Sequence, residues 1–472
     1  MRTYSPYRRG FGYYLKRIIV ISALLIIGLY VPDIITYCHR LDSEKILSAS
    51  KLKNKTFSTP VQEIKSSGMT AYLLEEHSVP IVSIDFEFTN AGSAHEDEDK
   101  QGLTQILSSL LRDGAGKYDA ESFRDTCEEY GIKLGFEGQR DSISGYLYAP
   151  RKSLSKALEL LTAVLQEPHF DKEFVTLRKE QLKTEIKSKR EEPHFILSEK
   201  FDEFIYAGHP YSRSSLTVLK TIDNVSADDL KKFMQNHFSR ENLIISFAGD
   251  LTPQEAMDIL KKPFGELAEK FTGEKMNRIE LKLGGREKNI KYDSAQAISV
   301  FVVNGTYREN ADYYPLYLAN YIFGGSGLNS RISQVIREKE GLTYGIGTYL
   351  QQNDAVALLG GGYSSTPDNF RKAQKLLLHE WHKMAQEGVS ALELQQAKES
   401  LISSFNLRFA SIDGIAAMLT GMQKYNLGRD FLEKRNDYIE TVTLEEVNAA
   451  AKKYFKGTPD FINIDVKTKE SR

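Results

Sequence analysis

Apolar and polar positions form strand and helix patterns in a fixed order along the first half of the chain. In Ile81–Phe88, apolar residues alternate with polar ones such as Asp85 and Glu87, which is the period-two pattern of a half-buried strand. Gly102–Leu111 has a helical pattern, and Ile132–Ala149 has the composition of a hairpin of two strands. These segments predict a strand, a helix and a hairpin in that order.

The second half of the chain repeats this order with a period of about 215 residues. Val225–Phe238 aligns without a gap to Val442–Phe455, and both segments begin with a capping-box pattern. Ala297–Val303 corresponds to the strand, Tyr313–Phe323 to the helix and Tyr344–Tyr363 to the hairpin. The pattern therefore predicts a tandem duplication.

Each repeat mixes hairpin-joined strands with long helices, which favours an α+β fold. We expect two tandem homologous domains, each a mostly antiparallel sheet with helices packed on one face. The first domain is placed at residues 46–265, a linker at 266–290 and the second domain at 291–472. Asp141 and Asp354 take equivalent positions in the two hairpins. A cleft between two such domains is a favoured place for ligand binding.

The N-terminal segment, residues 1–45, is predicted to lie outside the folded body. Its first 17 residues carry five basic residues and no acidic residue, and an apolar run follows. A helix from Ile18 to Pro32 spans only about 22 Å, but one that continues to Cys38 spans about 31 Å, enough for the core of a bilayer. Because no small-residue cleavage site follows the run, we expect an uncleaved signal anchor through residues 18–38. A cleaved signal sequence is the alternative.

The basic residues before the span predict a cytoplasmic N-terminus. In a bacterium the chain would then be a single-pass inner-membrane protein with its body in the periplasm. If the anchor is cleaved, the body would be secreted to the periplasm.

Composition excludes several classes of function. The 472 residues carry a formal net charge of −2, so no overall field favours nucleic acid, and no nucleic-acid partner is expected. The only two cysteines, Cys38 and Cys127, exclude a disulfide framework and a cysteine-based zinc cluster.

Four segments together resemble the pitrilysin/insulinase peptidases and the mitochondrial processing peptidases. They are NAGSAHEDEDKQGLTQIL (90–107), HPYSRSSLTVLKTI (209–222), NLIISFAGD (242–250) and REKEGLTYGI (337–346). The resemblance covers about residues 60–466 and implies a two-domain metallopeptidase fold.

The family's catalytic motif is the inverted zinc motif H-x-x-E-H on the first long helix. By the resemblance it falls on Gln105, Ser108 and Ser109, so all three positions are changed. The family's distant carboxylate ligand corresponds to Glu185, whereas Arg178 replaces an acid that often stands seven residues earlier. Amides and hydroxyls are poor zinc ligands, and one carboxylate cannot hold the ion alone. We therefore predict no metal site and no catalytic residue in this chain, and expect zinc only in a partner.

No other segment replaces the lost motif. None of the nine histidines lies in an H-E-x-x-H or H-x-x-E-H pattern, and His379, Glu380 and His382 have a spacing more typical of a helix surface than of a metal site. The glycine-rich Phe323–Ile332 lacks the G-K-[ST] end of a phosphate-binding loop and follows a helix, so it indicates a turn.

In the family, the second domain contributes an Arg and a Tyr that approach the substrate, and Arg337 and Tyr344 match them. A guanidinium and a phenol can donate hydrogen bonds to a peptide carbonyl and a developing oxyanion. The alternative is a surface charge and a strand-edge tyrosine. An extended peptide would add to a sheet edge, for which Lys133–Gly138 is the candidate because Gly135 and Gly138 permit close approach of a backbone.

The resemblance thus implies a non-catalytic subunit of a heteromeric zinc metalloendopeptidase. It would bind an extended peptide for a zinc-bearing homologous partner. Two alternatives remain: a metal-free structural or assembly protein of a membrane complex, and a stand-alone zinc peptidase with ligands that the sequence does not reveal.

Overall fold

The computed structural model describes residues 60–466, which lie in one compact unit. The predicted anchor lies outside these residues. Within the described range, no helix has the length and apolar character needed to cross a membrane.

Eleven strands form two sheets within the described residues. The strands are β1 Gln62–Ser66, β2 Met69–Glu75, β3 Ile81–Thr89, β4 Lys133–Gly138, β5 Ser142–Pro150, β6 Leu243–Gly249, β7 Glu287–Tyr292, β8 Ala297–Asn304, β9 Gly345–Gln352, β10 Ala357–Ser365 and β11 Asp460–Val466.

Fourteen α-helices accompany these strands in residues 60–466. They are α1 Leu103–Leu110, α2 Ala120–Tyr130, α3 Leu154–Gln166, α4 Lys172–Lys189, α5 Pro193–Ile205, α6 Ser215–Thr221, α7 Ala227–His237, α8 Pro253–Lys261, α9 Tyr313–Asn320, α10 Pro367–Glu387, α11 Ala391–Phe405, α12 Ile412–Lys424, α13 Phe431–Glu440 and α14 Leu444–Tyr454. Two π-helical segments follow α9, Tyr321–Gly325 and Ser333–Lys339.

The strand order confirms the predicted fold class and the duplication. The first sheet has the order β1-β2-β6-β3-β5-β4, and the second has the order β7-β11-β8-β10-β9. Apart from β1, the two orders match strand for strand. In each sheet the corresponding pair, β2 with β6 and β7 with β11, is parallel, and the other pairs are antiparallel. β7 starts at Glu287, inside the segment predicted as a linker.

Local signals account for several element boundaries. Both predicted capping boxes are present: Ser226 with Asp229 begins α7, and Thr443 with Glu446 begins α14. Each box satisfies helix N–H groups that would otherwise lack partners. Val82, Ile84, Phe86 and Phe88 of β3 are buried in one cluster with side chains of α1, α3, α7 and α8, as the alternation predicted.

The opposite faces of the two sheets are covered by an exchange of helices. α12, from the second repeat, packs on β2, β3 and β6 of the first sheet, whereas α5, from the first repeat, packs on β8 and β11 of the second sheet. Gln423 of α12 donates a hydrogen bond to the Ile245 carbonyl oxygen at 2.7 Å. Leu197 of α5 lies in an apolar cluster with Val302 and Ile464. The two repeats therefore share their cores.

This exchange changes the environment of the polar face of β3. The sequence pattern predicts a half-buried strand, but α12 covers the second face as well. Glu87 is buried, and its Oε1 lies 2.5 Å from Lys424 Nζ. Burial, opposed by a hydrogen bond from Thr420, raises the pKa of Asp85 to about 6. The physical reason is that periodicity shows which face is apolar, not what covers the polar one.

Candidate functional site

The residues predicted to correspond to the family's zinc positions line one cavity in the first domain. α1 contributes Gln105, Ser108 and Ser109, and α4 contributes Glu185. β4 lines the same cavity, which has a volume of about 560 Å³. The fold therefore gathers these positions beside an edge strand.

The two serines form hydrogen bonds within their own helix. Ser108 Oγ donates to the Gln105 carbonyl oxygen at 3.1 Å, and Ser109 Oγ donates to the Ile106 carbonyl oxygen at 2.7 Å. Such local bonds occupy the hydroxyl protons. Among the described residues that line the cavity, none is a histidine or a cysteine. Histidine, the usual base that activates a serine nucleophile, is therefore absent from the described lining.

The retained carboxylate, Glu185, forms an ion pair at the protein surface. Glu185 Oε1 lies 2.6 Å from Lys189 Nζ, one helical turn along α4, and 57% of the Glu185 side chain is exposed. Arg178 also lines the cavity, but its Nε and Nη2 atoms each donate to Asp113 at 2.7 Å. This bidentate pair raises the pKa of the Arg178 guanidinium. The positive charge expected near the vacated site is thus balanced by Asp113.

This donor set does not fit a zinc ion. Zinc sites in proteins use imidazole, thiolate and carboxylate donors, usually three or four of them. Around α1 the structure provides an exposed amide, two hydroxyls bonded to backbone and one carboxylate paired with a lysine. Between residues 60 and 466, no group of three or more His, Cys, Asp or Glu side chains is placed to hold a metal ion.

β4 coincides with the predicted peptide-binding edge. It is the last strand of the first sheet and pairs with β5 alone. Contacts within this chain account for the two glycines of β4. A Cβ atom at Gly138 would lie 2.8 Å from the Thr104 carbonyl oxygen of α1, and one at Gly135 would lie 2.4 Å from the Tyr146 ring. Their small size lets β4 pack closely on α1 and on β5.

Arg337 and Tyr344 lie in the second domain with accessible side chains. Arg337 belongs to the π-helical segment Ser333–Lys339, and its Nη1 is 3.4 Å from Glu338 Oε1. Tyr344 immediately precedes β9 and is 56% exposed, while its backbone N–H donates to Ser364 at 3.0 Å. The cavity beside α1 is lined by first-domain residues, so these two side chains do not contribute to it.

The equivalent aspartates of the two hairpins meet where the repeats touch, which the sequence did not reveal. Asp141 accepts hydrogen bonds from the Tyr211 hydroxyl and from the Asp354 backbone N–H, the latter at 3.1 Å. Burial, together with the nearby Asp141 charge, raises the pKa of Asp354 to about 6. Their matching positions in the repeat are the signal that could have indicated this contact.

Comparison with known families gives two adjoining matches. Residues 74–217 match insulinase (peptidase family M16), and residues 224–401 match the peptidase M16 inactive domain. The first match lies within the first repeat. The second match begins just before α7, near the end of the first repeat, and continues into the second repeat.

Individual relatives cover most of the chain. An uncharacterized zinc protease of Rickettsia felis is 26% identical over 339 residues, which is 72% of this chain and 81% of that protein. A non-peptidase homologue of Helicobacter pylori, YmxG, is 23% identical and is matched over 82% of this chain and 89% of its own length.

Among solved structures, a peptidase M16 inactive domain from Pseudomonas fluorescens superposes with a TM-score of 0.79 at 22% identity, covering 86% of this chain and 98% of that one. That likeness shows the fold. The similarities to an inactive domain and to a non-peptidase homologue support a non-catalytic protein.

Proposed function

Because the chain belongs to the insulinase (peptidase M16) family, we propose that it is the non-catalytic subunit of a heteromeric zinc metalloendopeptidase. In this proposal it binds an extended peptide, and a zinc-bearing homologous partner cuts it. The observation that carries the proposal is the donor set around α1, where Gln105, Ser108 and Ser109, which correspond to the zinc positions by the resemblance, line one cavity. A chain that retains the fold without the ligands can still bind a substrate.

Arg337 and Tyr344 are the proposed substrate-binding residues. Both side chains are accessible, and within the described part of the chain the one ion pair of Arg337 is a surface contact with its neighbour Glu338. A guanidinium and a phenol at this position would donate hydrogen bonds to peptide carbonyl groups. The edge strand β4 supports binding of an extended backbone, because it pairs on one side only.

We propose further that residues 18–38 anchor the subunit in the inner membrane, with the body in the periplasm. The support is the basic N-terminus followed by the apolar run. The zinc-bearing partner would then lie in the same compartment.

The test is peptide cleavage by the pair. The tagged full-length chain is co-purified from its host with the zinc-bearing homologue, and cleavage of an unstructured peptide is measured. Arg337→Ala is expected to reduce kcat/KM by about 10–100-fold, because it removes a donor to the substrate, without dissociating the pair. Lys339→Ala is the matched control, since Lys339 is an exposed basic residue of the same segment.

Three results contradict the proposal: no zinc-bearing homologue co-purifies, the pair cleaves at the rate of the partner alone, or Arg337→Ala and Lys339→Ala behave alike. The first result favours the metal-free assembly role instead.

A further inference from the structure

A second cavity lies in the second domain, between α9, α12 and α13. Its volume is about 600 Å³, within the usual range of about 300–1,000 Å³ for small-molecule sites. Three arginines line it, Arg308, Arg408 and Arg435, and none of the described residues that line it is acidic. Six of the other lining residues are aromatic: Tyr313, Tyr314, Tyr317, Phe405, Tyr425 and Phe431.

Arg308 is held by aromatic rings rather than by a carboxylate. Its guanidinium carbon lies 5.1 Å from the Tyr313 ring centre, 5.5 Å from that of Tyr425 and 5.7 Å from that of Phe431. Its Nε is buried and has no hydrogen-bond partner among the described residues. Cation–π contacts orient a guanidinium but leave its charge uncompensated.

Arg435 is buried, with only 8% of its surface exposed. It donates to the Leu401 carbonyl oxygen and to Asn436 Oδ1, each at 3.1 Å, and its guanidinium carbon lies 4.1 Å from the Phe405 ring centre. Both hydrogen-bond acceptors are neutral. Burial, with a smaller contribution from the positive charge of Arg408, lowers the pKa of Arg435.

The three arginines differ in their partners from Arg178 and Arg331. Arg178 and Arg331 form bidentate contacts with Asp113 and Glu393. In contrast, no carboxylate of residues 60–466 lies within ion-pair distance of Arg308, Arg408 or Arg435. Arg435 is buried, and a buried charge is normally paired, because an uncompensated charge is costly to desolvate. An anionic ligand would supply the missing partner.

From this arrangement we propose that the cavity binds a small organic anion, a carboxylate or a phosphate carried on an aromatic or apolar body. Guanidinium groups bind planar carboxylates and phosphates through paired hydrogen bonds. The tyrosine and phenylalanine rings would pack against the rest of the ligand. The site lies apart from α1 and from Arg337, and it does not depend on the proposed role in peptide cleavage.

Binding is tested by titration calorimetry on the purified full-length chain in detergent. The probes are phenyl phosphate and phenylacetate, which separate the two anion types, with benzyl alcohol and inorganic phosphate as comparisons. We expect at least one anionic aromatic probe to saturate a single site. Its affinity should exceed that of both comparison molecules by about tenfold or more, because neither of them combines charge with a ring. Raising the ionic strength should weaken it.

Variants locate the site. Arg308→Gln and Arg408→Gln should each weaken binding of the better probe about tenfold or more, since each removes a charge-assisted hydrogen bond. Arg429→Gln is the matched control, because Arg429 is an exposed arginine in the adjoining loop and does not line the cavity. Circular dichroism establishes that each variant is folded.

The proposal is overturned if neither anionic probe gives saturable binding, if inorganic phosphate or benzyl alcohol binds equally well, or if Arg429→Gln weakens binding as much as the two cavity variants. Loss of binding in Arg408→Gln alone supports it even if Arg308→Gln fails to fold, because Arg408 is an exposed residue.

Discussion

Glu185, which was predicted to correspond to the family's carboxylate ligand, has a functional group that can bind a metal, and its surroundings explain why that group alone is insufficient. The carboxylate faces solvent and pairs with Lys189 on the same helix. An exposed pair of this kind contributes little to stability. Neighbouring Asp113 is different, because its side chain is mostly buried and accepts two hydrogen bonds from Arg178.

Neutralising these two acids should change the free energy of unfolding by different amounts. Glu185→Gln should change the free energy of unfolding by no more than about 0.5 kcal/mol. Asp113→Asn should cost about 1–3 kcal/mol, because it weakens a charge-assisted pair and leaves the Arg178 guanidinium partly uncompensated. Urea denaturation of both variants measures the difference. Equal effects of the two substitutions would contradict this account of the two carboxylates.

At the residue scale, the sequence predicted the residues of the cavity beside α1 but not those of the arginine cavity. The family resemblance located Gln105, Ser108, Ser109 and Glu185, and the fold gathers them around one cavity. The cavity of three arginines could not be predicted, because Arg308, Arg408 and Arg435 belong to different elements and no local motif connects them. Only the tertiary fold brings the three side chains to one cavity.

At the scale of elements, α12 determines the chemistry of β3. It covers Asp85 and Glu87, which an alternating strand would otherwise present to solvent. Thr420 and Lys424 are the polar residues of α12 that face them. In the second sheet the sequence indicates more clearly that both faces are covered. β8 has apolar residues on both faces, which is typical of a strand buried on both sides, and Ile298 lies in the mixed apolar cluster.

Burial of Asp85 predicts a specific pH dependence. The folded state holds its proton up to a pH of about 6, whereas the ordinary value is 3.8. Between these values the folded state binds more protons than the unfolded state, so the contribution of Asp85 to stability falls as pH rises through this window. Asp85→Asn should remove that fall and should therefore gain stability relative to the wild type between about pH 4 and pH 7.

Chemical denaturation across this pH range measures the effect. Asp413→Asn is the control, because Asp413 belongs to α12, the helix that covers Asp85, but is itself exposed. Parallel curves for the wild type and Asp85→Asn would show that α12 does not desolvate the carboxylate.

At the scale of the whole molecule, the exchange of α5 and α12 joins the two repeats into one folding unit. Each sheet is completed by a helix from the other repeat, and Leu197, Ile298 and Ile462 contribute to one mixed apolar cluster. The pattern along the chain predicted the duplication, the order of elements and the fold class. It did not predict the exchange, because similar repeats can each complete their own core or one another's.

The shared cores predict a single unfolding transition. Trp381 is the only tryptophan of the chain and is fully buried in the second domain, so its fluorescence reports on that domain. Leu107→Ala removes a fully buried side chain of the first domain and should cost about 2–5 kcal/mol. We expect the Trp381 transition to shift together with the far-ultraviolet circular dichroism transition. A fluorescence transition that stays at the wild-type position would show that the domains unfold separately.

The central claim is that this chain retains a peptidase fold whose zinc positions cannot hold zinc. Elemental analysis of the full-length chain, purified without its partner and equilibrated with zinc before dialysis, tests that claim most directly. The account predicts far less than one zinc ion per chain and no change in zinc content in Glu185→Gln. One tightly bound zinc ion per chain that is lost in Glu185→Gln or Gln105→Ala would contradict it.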